Sequence, residues 1–139
     1  MPDKEMSHGK FGTAINCIDG RVQFPVANWV KMQFHLDYVD MITEPGPDKI
    51  VAAGQGPTVD SIKAKAVISA EAHGSKIILI AGHDDCAGNP VSKDLHLLQI
   101  KAAMQIVESW NLPFERIIGI WVNKDWGIEI VDTAGHFRR

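Results

Sequence analysis

The sequence predicts an α/β fold: a mostly parallel central sheet in the order 2-1-3-4 with a C-terminal antiparallel strand, and helices on both faces. Three observations carry this prediction. Strand-like and helix-like blocks alternate along the chain, the pattern of parallel strands joined by crossover helices. The run Ile77-Ile78-Leu79-Ile80 is apolar without interruption, as expected of a strand covered on both faces. Two chemically unusual segments follow two predicted strands, and in open α/β sheets ligands gather outside the carboxyl ends of strands.

Taken in order, Gly12 to Ile18 reads as a short apolar strand. Phe24 to Met41 carries Val26, Trp29, Val30, Phe34, Tyr38 and Met41 at three-and-four spacing, one face of a helix, with Pro25 in its first turn. Glu44-Pro45-Gly46-Pro47 turns the chain into a second brief strand over Lys49 to Ala53. Thr58 opens a helix running to about His73 and stopped by Gly74. Lys76 to Ala81 is the third strand. Ser92 caps a helix that runs through Trp110, with Leu95, Leu98, Ala102 and Ile106 on one side, and Asn111 and Pro113 close it. Arg116 to Val122 is a fourth buried strand. The turn Asn123-Lys124-Asp125-Trp126-Gly127 then leads to an antiparallel strand over Ile128 to Val131.

The 139 residues suit a single domain, residues 1–139, large enough to bury a core without disulfides. Apolar residues at 45 % and charged residues at 22 % exclude intrinsic disorder. The net charge of −3 and the lack of a Lys/Arg run beyond Arg138-Arg139 argue against nucleic acid as a partner. No apolar run approaches the ~20 residues needed to span a bilayer. Met1 to Glu5 is too polar to open a signal peptide, so a cytoplasmic address is expected. In a reducing compartment, Cys17 and Cys86 are expected as ligands, catalysts or core residues rather than as a disulfide.

The two unusual segments are Cys17-Ile18-Asp19-Gly20-Arg21, after the first strand, and His83-Asp84-Asp85-Cys86, after the third. In a 2-1-3-4 sheet these strands are neighbours, and both segments meet in one crevice. Cys17, His83 and Cys86 supply two thiolates and an imidazole, three corners of a tetrahedron suited to Zn²⁺. The fourth corner is open to water, which makes a catalytic site, or to Asp19, which closes it. Asp19 and Arg21 lie two apart on an expected extended segment and so point the same way. The guanidinium can then hold the carboxylate off the metal. Zinc would lower the pKa of a bound water and generate hydroxide near neutral pH. Taken singly, a His-x-x-Cys is a weak signal and a buried cysteine is commonly a small core residue. The convergence of the two segments carries the metal reading.

With these residues in view, the sequence resembles the beta-class carbonic anhydrases. The resemblance rests on Cys17-x-Asp19-x-Arg21, followed by an apolar strand and His83-x-x-Cys86. It covers most of the chain, including the Ser61 to Ala72 helix and the terminal hairpin. It implies zinc held by Cys17, His83 and Cys86, with Asp19 and Arg21 as the dyad that governs the fourth ligand. The implied reaction is reversible hydration of carbon dioxide to bicarbonate, with zinc hydroxide as nucleophile, in a homodimer or larger homo-oligomer. Two alternatives share the fold: a catalytically silent zinc-binding or regulatory module, and a hydrolase of carbonyl sulfide or carbon disulfide. The family commonly has Ser where Gly20 stands, and Gly directly after the second cysteine, where this chain has Ala87 before Gly88.

Among the remaining candidates, His8, His35, His73, His96 and His136 are expected on the surface or on helix faces, with His35 the favoured proton shuttle. Gly54-Gln55-Gly56 is read as a strand-to-helix turn. Trp110, Trp121 and Trp126 are read as core or interface aromatics.

Overall fold

Five strands form one sheet in the order β2-β1-β3-β4-β5. They are β1 (Phe11–Cys17), β2 (Tyr38–Glu44), β3 (Ile77–His83), β4 (Arg116–Val122) and β5 (Ile128–Gly135). The first three pairings are parallel and the last is antiparallel, as the sequence predicts. The computed structural model describes residues 9–135, so the expectations for Met1 to Glu5, His8, His136 and Arg138-Arg139 fall outside the described residues. The helices are α1 (Gly20–Phe34), α2 (Pro47–Ala52), α3 (Pro57–Glu71) and α4 (Lys93–Ser109). None of them is long and apolar enough to cross a membrane.

Helix α1 covers one face of the sheet. Its buried Val22, Val26 and Val30, spaced four apart, pack on Ala14, Leu79, Ile118 and Ile120. Helices α2, α3 and α4 cover the other face, where Ile62 and Ile100 join Ile15, Ile78 and Ile80. Alternate residues of β3 therefore enter two different cores, which explains its unbroken apolar run. Each such fully buried aliphatic side chain is worth roughly 1.5–3 kcal/mol relative to exposure.

Three elements differ from the sequence expectation. Helix α1 begins at Gly20 because the Asp19 side chain caps it, accepting the Arg21 N–H at 2.9 Å. Pro25 therefore lies inside the helix rather than in its first turn. The helix ends at Phe34, where His35 turns left-handed (φ 55°), and Tyr38 to Met41 belong to strand β2. Their apparent helical spacing continues by coincidence across a chain reversal, and β2 is an edge strand in which only Ile42 is buried. Lys49 to Ala53 is not a strand. Gly46 in the left-handed region and Pro47 start the short helix α2 there, and its Asp48 is fully buried.

Gly54-Gln55-Gly56 joins helix α2 to helix α3, not a strand to a helix. His35 lies just before Tyr38, which pairs with Phe11 at the opposite end of β1 from Cys17. Roughly 20 Å of strand separates the two ends, so His35 is no proton shuttle for that crevice. Ser92 caps α4 by accepting the Leu95 N–H at 3.2 Å, and β4 spans the predicted residues.

Candidate metal centre

Strands β1 and β3 are parallel neighbours, with Ile15 opposite Ile80. The chain leaves β1 into α1 on one face, while α4 after β3 packs on the other, so a crevice opens at their carboxyl ends. Cys17 ends β1, His83 ends β3, and Cys86 follows one turn later. All three are buried, and their ligand atoms lie within 4.8 Å of one another. The two Sγ atoms are 3.9 Å apart and both cysteines are free, well beyond the ~2.05 Å of a disulfide. Two sulfurs on a tetrahedral zinc at about 2.3 Å each would stand about 3.8 Å apart.

His83 supplies the clearest test of fit. Its Nδ1 lies 2.7 Å from the Asp84 carbonyl and donates to it, while the buried Nε2 has no hydrogen-bond partner. A neutral imidazole fixed in this way points the Nε2 lone pair toward the two sulfurs. Burial pushes the Cys17 thiol up, but His83 and backbone N–H groups at Gly46 and Asp19 outweigh it and bring the pKa to about 7. Burial pushes Cys86 up to about 11, and the adjacent Cys17 sulfur adds to the effect. Burial alone would depress His83, but contact with Cys17 and the Asp84 carbonyl raises it above its ordinary value. A soft cation would take the place of the Cys86 proton. The residues fit a metal ion.

Local packing explains how the cysteines are held. The Gln23 side chain donates to the carbonyls of Cys17 (2.7 Å) and Asp19 (2.9 Å), bracing the segment after β1. The Cys86 loop closes on itself through Asn89 N–H to the Cys86 carbonyl at 3.2 Å. Asn89 also anchors the loop from below, donating to Asp48 and to Gln99. Gly88 presses on the β2–α2 turn, where an added Cβ would lie 2.6 Å from the Pro45 carbonyl carbon. The glycine that the resemblance places directly after the second cysteine thus stands one position later, at a contact that excludes any side chain.

Asp19 and Arg21 meet, but not on an extended segment: Asp19 is the helix cap and Arg21 lies in the first turn of α1. The Arg21 Nε–H and an Nη2–H reach the carboxylate at 3.0 and 2.6 Å, a two-pronged pairing. That guanidinium holds Asp19 down at about 2, and the carboxylate in turn raises Arg21. Asp19 Oδ2 lies 4.0 Å from His83 Nε2. A cavity of about 420 Å³ lies against Phe34, Leu36 and Arg116 at the other end of the sheet and touches none of these groups. The donor set, not cavity size, marks the site.

Sequence reasoning missed several contributors. Asp85 approaches Arg21 with its carboxylate at 3.2 Å and its carbonyl at 3.1 Å. Trp126, expected in a core or interface, lies in the β4–β5 turn with its ring 5.2 Å from the Arg21 guanidinium carbon. A large aromatic inside an otherwise polar turn was the available signal. Trp121 is a core residue and Trp110 is half-buried against that core. His96, expected on a surface or helix face, is 1 % exposed and bonded to Asp48. His73 is half-buried, with its Nδ1 2.7 Å from Asp40.

This fold and donor set define an α/β protein able to hold a metal ion at its strand switch point. Residues 7–132 match the family model described as "Putative carbonic anhydrase". The chain belongs to the beta-class carbonic anhydrase family. It is similar in fold to beta-carbonic anhydrase isoform I of Trichomonas vaginalis, with a TM-score of 0.61 and 17 % identity over 89 % of this chain and 83 % of that one. The carbonic anhydrase of Glaciozyma antarctica gives 0.59 and 16 %, over 94 % and 89 %. The apo form of a carbon disulfide hydrolase gives 0.56 and 12 %, over 90 % and 82 %. No curated protein matches the chain.

Proposed function

We propose that the protein is a zinc-dependent carbonic anhydrase that interconverts carbon dioxide and bicarbonate. One observation carries the proposal. The buried Nε2 of His83 has no hydrogen-bond partner and shares a 4.8 Å cluster with two free cysteine sulfurs, in a chain of this family. Cys17, His83 and Cys86 would hold the ion. When bound, zinc supplies Lewis acidity, which makes water nucleophilic near neutral pH. The chain's own residues do the rest. His83 is fixed in one orientation by Asp84, Arg21 keeps Asp19 ionised, and Asp19, with Oδ2 4.0 Å from His83 Nε2, stands beside the cluster as a hydrogen-bond acceptor. The need for reduced cysteines fits a cytoplasmic setting. Apolar side chains left exposed, Phe24 and Met32 on α1 and Leu98 on α4, support a homodimer or larger assembly.

The test combines metal content with stopped-flow hydration of carbon dioxide on one purified sample. About one zinc per chain and hydration that vanishes in Cys86→Ser is the expected result. Absence of zinc after refolding with the metal would sink the proposal. Zinc without hydration would leave a silent module, or a hydrolase of a sulfur analogue. The fold shared with a carbon disulfide hydrolase favours testing that substrate next on the same sample.

A further inference from the structure

Four non-glycine residues among those described adopt positive φ: His35, Asp85, Asn111 and Trp126. His35 and Asn111 stand at the ends of α1 and α4, where left-handed residues are ordinary. The other two flank a single side chain, Arg21. Strained backbone of this kind persists where the surroundings impose it, and it clusters at functional sites. Here the imposing structure is visible. Asn123 Oδ1 accepts the N–H groups of Asp125 (2.9 Å) and Gly127 (3.0 Å), and the Trp126 N–H bonds the Asn123 carbonyl at 2.9 Å. Asn123 is fixed in turn by its Nδ2–H bond to Glu129 at 3.0 Å. The turn therefore presents a tryptophan, 38 % exposed, across the guanidinium.

Arg21, its side chain 46 % exposed, is held from three directions by this arrangement. Its edges go to the Asp19 carboxylate and to the carboxylate and carbonyl of Asp85, and the Trp126 ring lies 5.2 Å from its carbon. Asp85 immediately precedes Cys86, so one guanidinium ties together the helix cap, the Cys86 loop and the hairpin. Asp19 Oδ2 is only 4.0 Å from His83 Nε2. The Asp19 carboxylate thus stands beside His83, one of the three candidate metal ligands, while paired with Arg21. The geometry points to Trp126 as a positioning residue whose ring keeps Arg21 on Asp19, and so keeps the Asp19 carboxylate away from the fourth ligand position. This assignment rests on the metal reading above.

The test separates the two. Trp126→Gly removes the ring while suiting the positive φ, so the turn is expected to form. In metal-free protein, the Arg21 Nε–H should give a slowly exchanging ¹H–¹⁵N resonance. Trp126→Gly should speed its exchange at least tenfold, and Trp126→Phe, which keeps a ring, should restore most of the protection. In cobalt-loaded protein, azide affinity read from visible absorption should fall at least tenfold in Trp126→Gly. It should recover when Asp19→Asn is added. Unchanged Arg21 exchange in Trp126→Gly overturns the inference. So does an azide affinity that Asp19→Asn fails to restore. A parent protein that takes up no cobalt overturns the metal reading instead, and the metal-free exchange still decides whether Trp126 holds Arg21.

Discussion

His83 and His96 are both buried imidazoles beside the same crevice, at 2 % and 1 % exposure, yet they are wired for opposite purposes. His83 spends Nδ1 on a backbone carbonyl and leaves Nε2 bare, facing two sulfurs. His96 turns Nδ1 to the fully buried carboxylate of Asp48, 2.5 Å away, and its ring tilts against Trp121. An unpartnered lone pair on a buried ring marks a ligand in waiting. An imidazole facing a buried carboxylate marks a structural pair, here one that also anchors Asn89 and the Cys86 loop.

The comparison can be broken by deleting each ring. His83→Ala should abolish stoichiometric zinc uptake, measured by metal analysis, because it removes one of three ligands. The parent's thermal midpoint should fall on chelation, whereas that of His83→Ala should not move. His96→Ala should behave inversely, keeping the three ligands but losing on the order of 3–5 kcal/mol in denaturant unfolding of metal-free protein, because the Asp48 carboxylate is left buried without its main partner. If both variants lost metal equally while keeping equal stability, the distinction would collapse.

Two smaller effects sharpen it. Gly88→Ala forces a Cβ against Pro45 and should cost roughly 1–3 kcal/mol, with zinc affinity lowered about tenfold as the Cys86 loop shifts. Equilibrium unfolding and a competitive zinc titration would show both. The smallest effect lies in the hairpin clasp. Hydrogen bonds from Asn123 and Lys93 lower the Glu129 pKa. Its contribution is therefore present above the unfolded carboxylate value, about 4.3, and fades as pH falls through the lower folded value. Glu129→Gln should flatten stability against pH in that acid range, and should do less at high salt because the pair is exposed.

Much of this was legible in the sequence, for local reasons. The uninterrupted apolar run fixes β3 as a doubly covered strand, and Ser92 fixes where α4 starts. The donor types at 17, 83 and 86, set after two strands, mark the crevice in the sequence itself. Tyr38 to Met41 read as helix because three-and-four spacing can continue by chance through a turn, and a half-exposed edge strand offers weak alternation against it. His96 was misplaced because a histidine on a helix carries no local sign that a carboxylate 48 residues away will bury it.

By itself, the sequence determined the α/β order of elements, the two caps or breaks that bound α4, and the identity of the three metal-type donors. Periodicity, capping and donor chemistry act over a few residues and can be read along the chain. Only the tertiary structure decided that Asp19 caps α1, that Asp48 and His96 form a buried pair, and that Trp126 lies across Arg21. The last two arise when segments distant in sequence pack together. Asp19 as the cap depended on where α1 begins, which its apolar spacing alone did not fix.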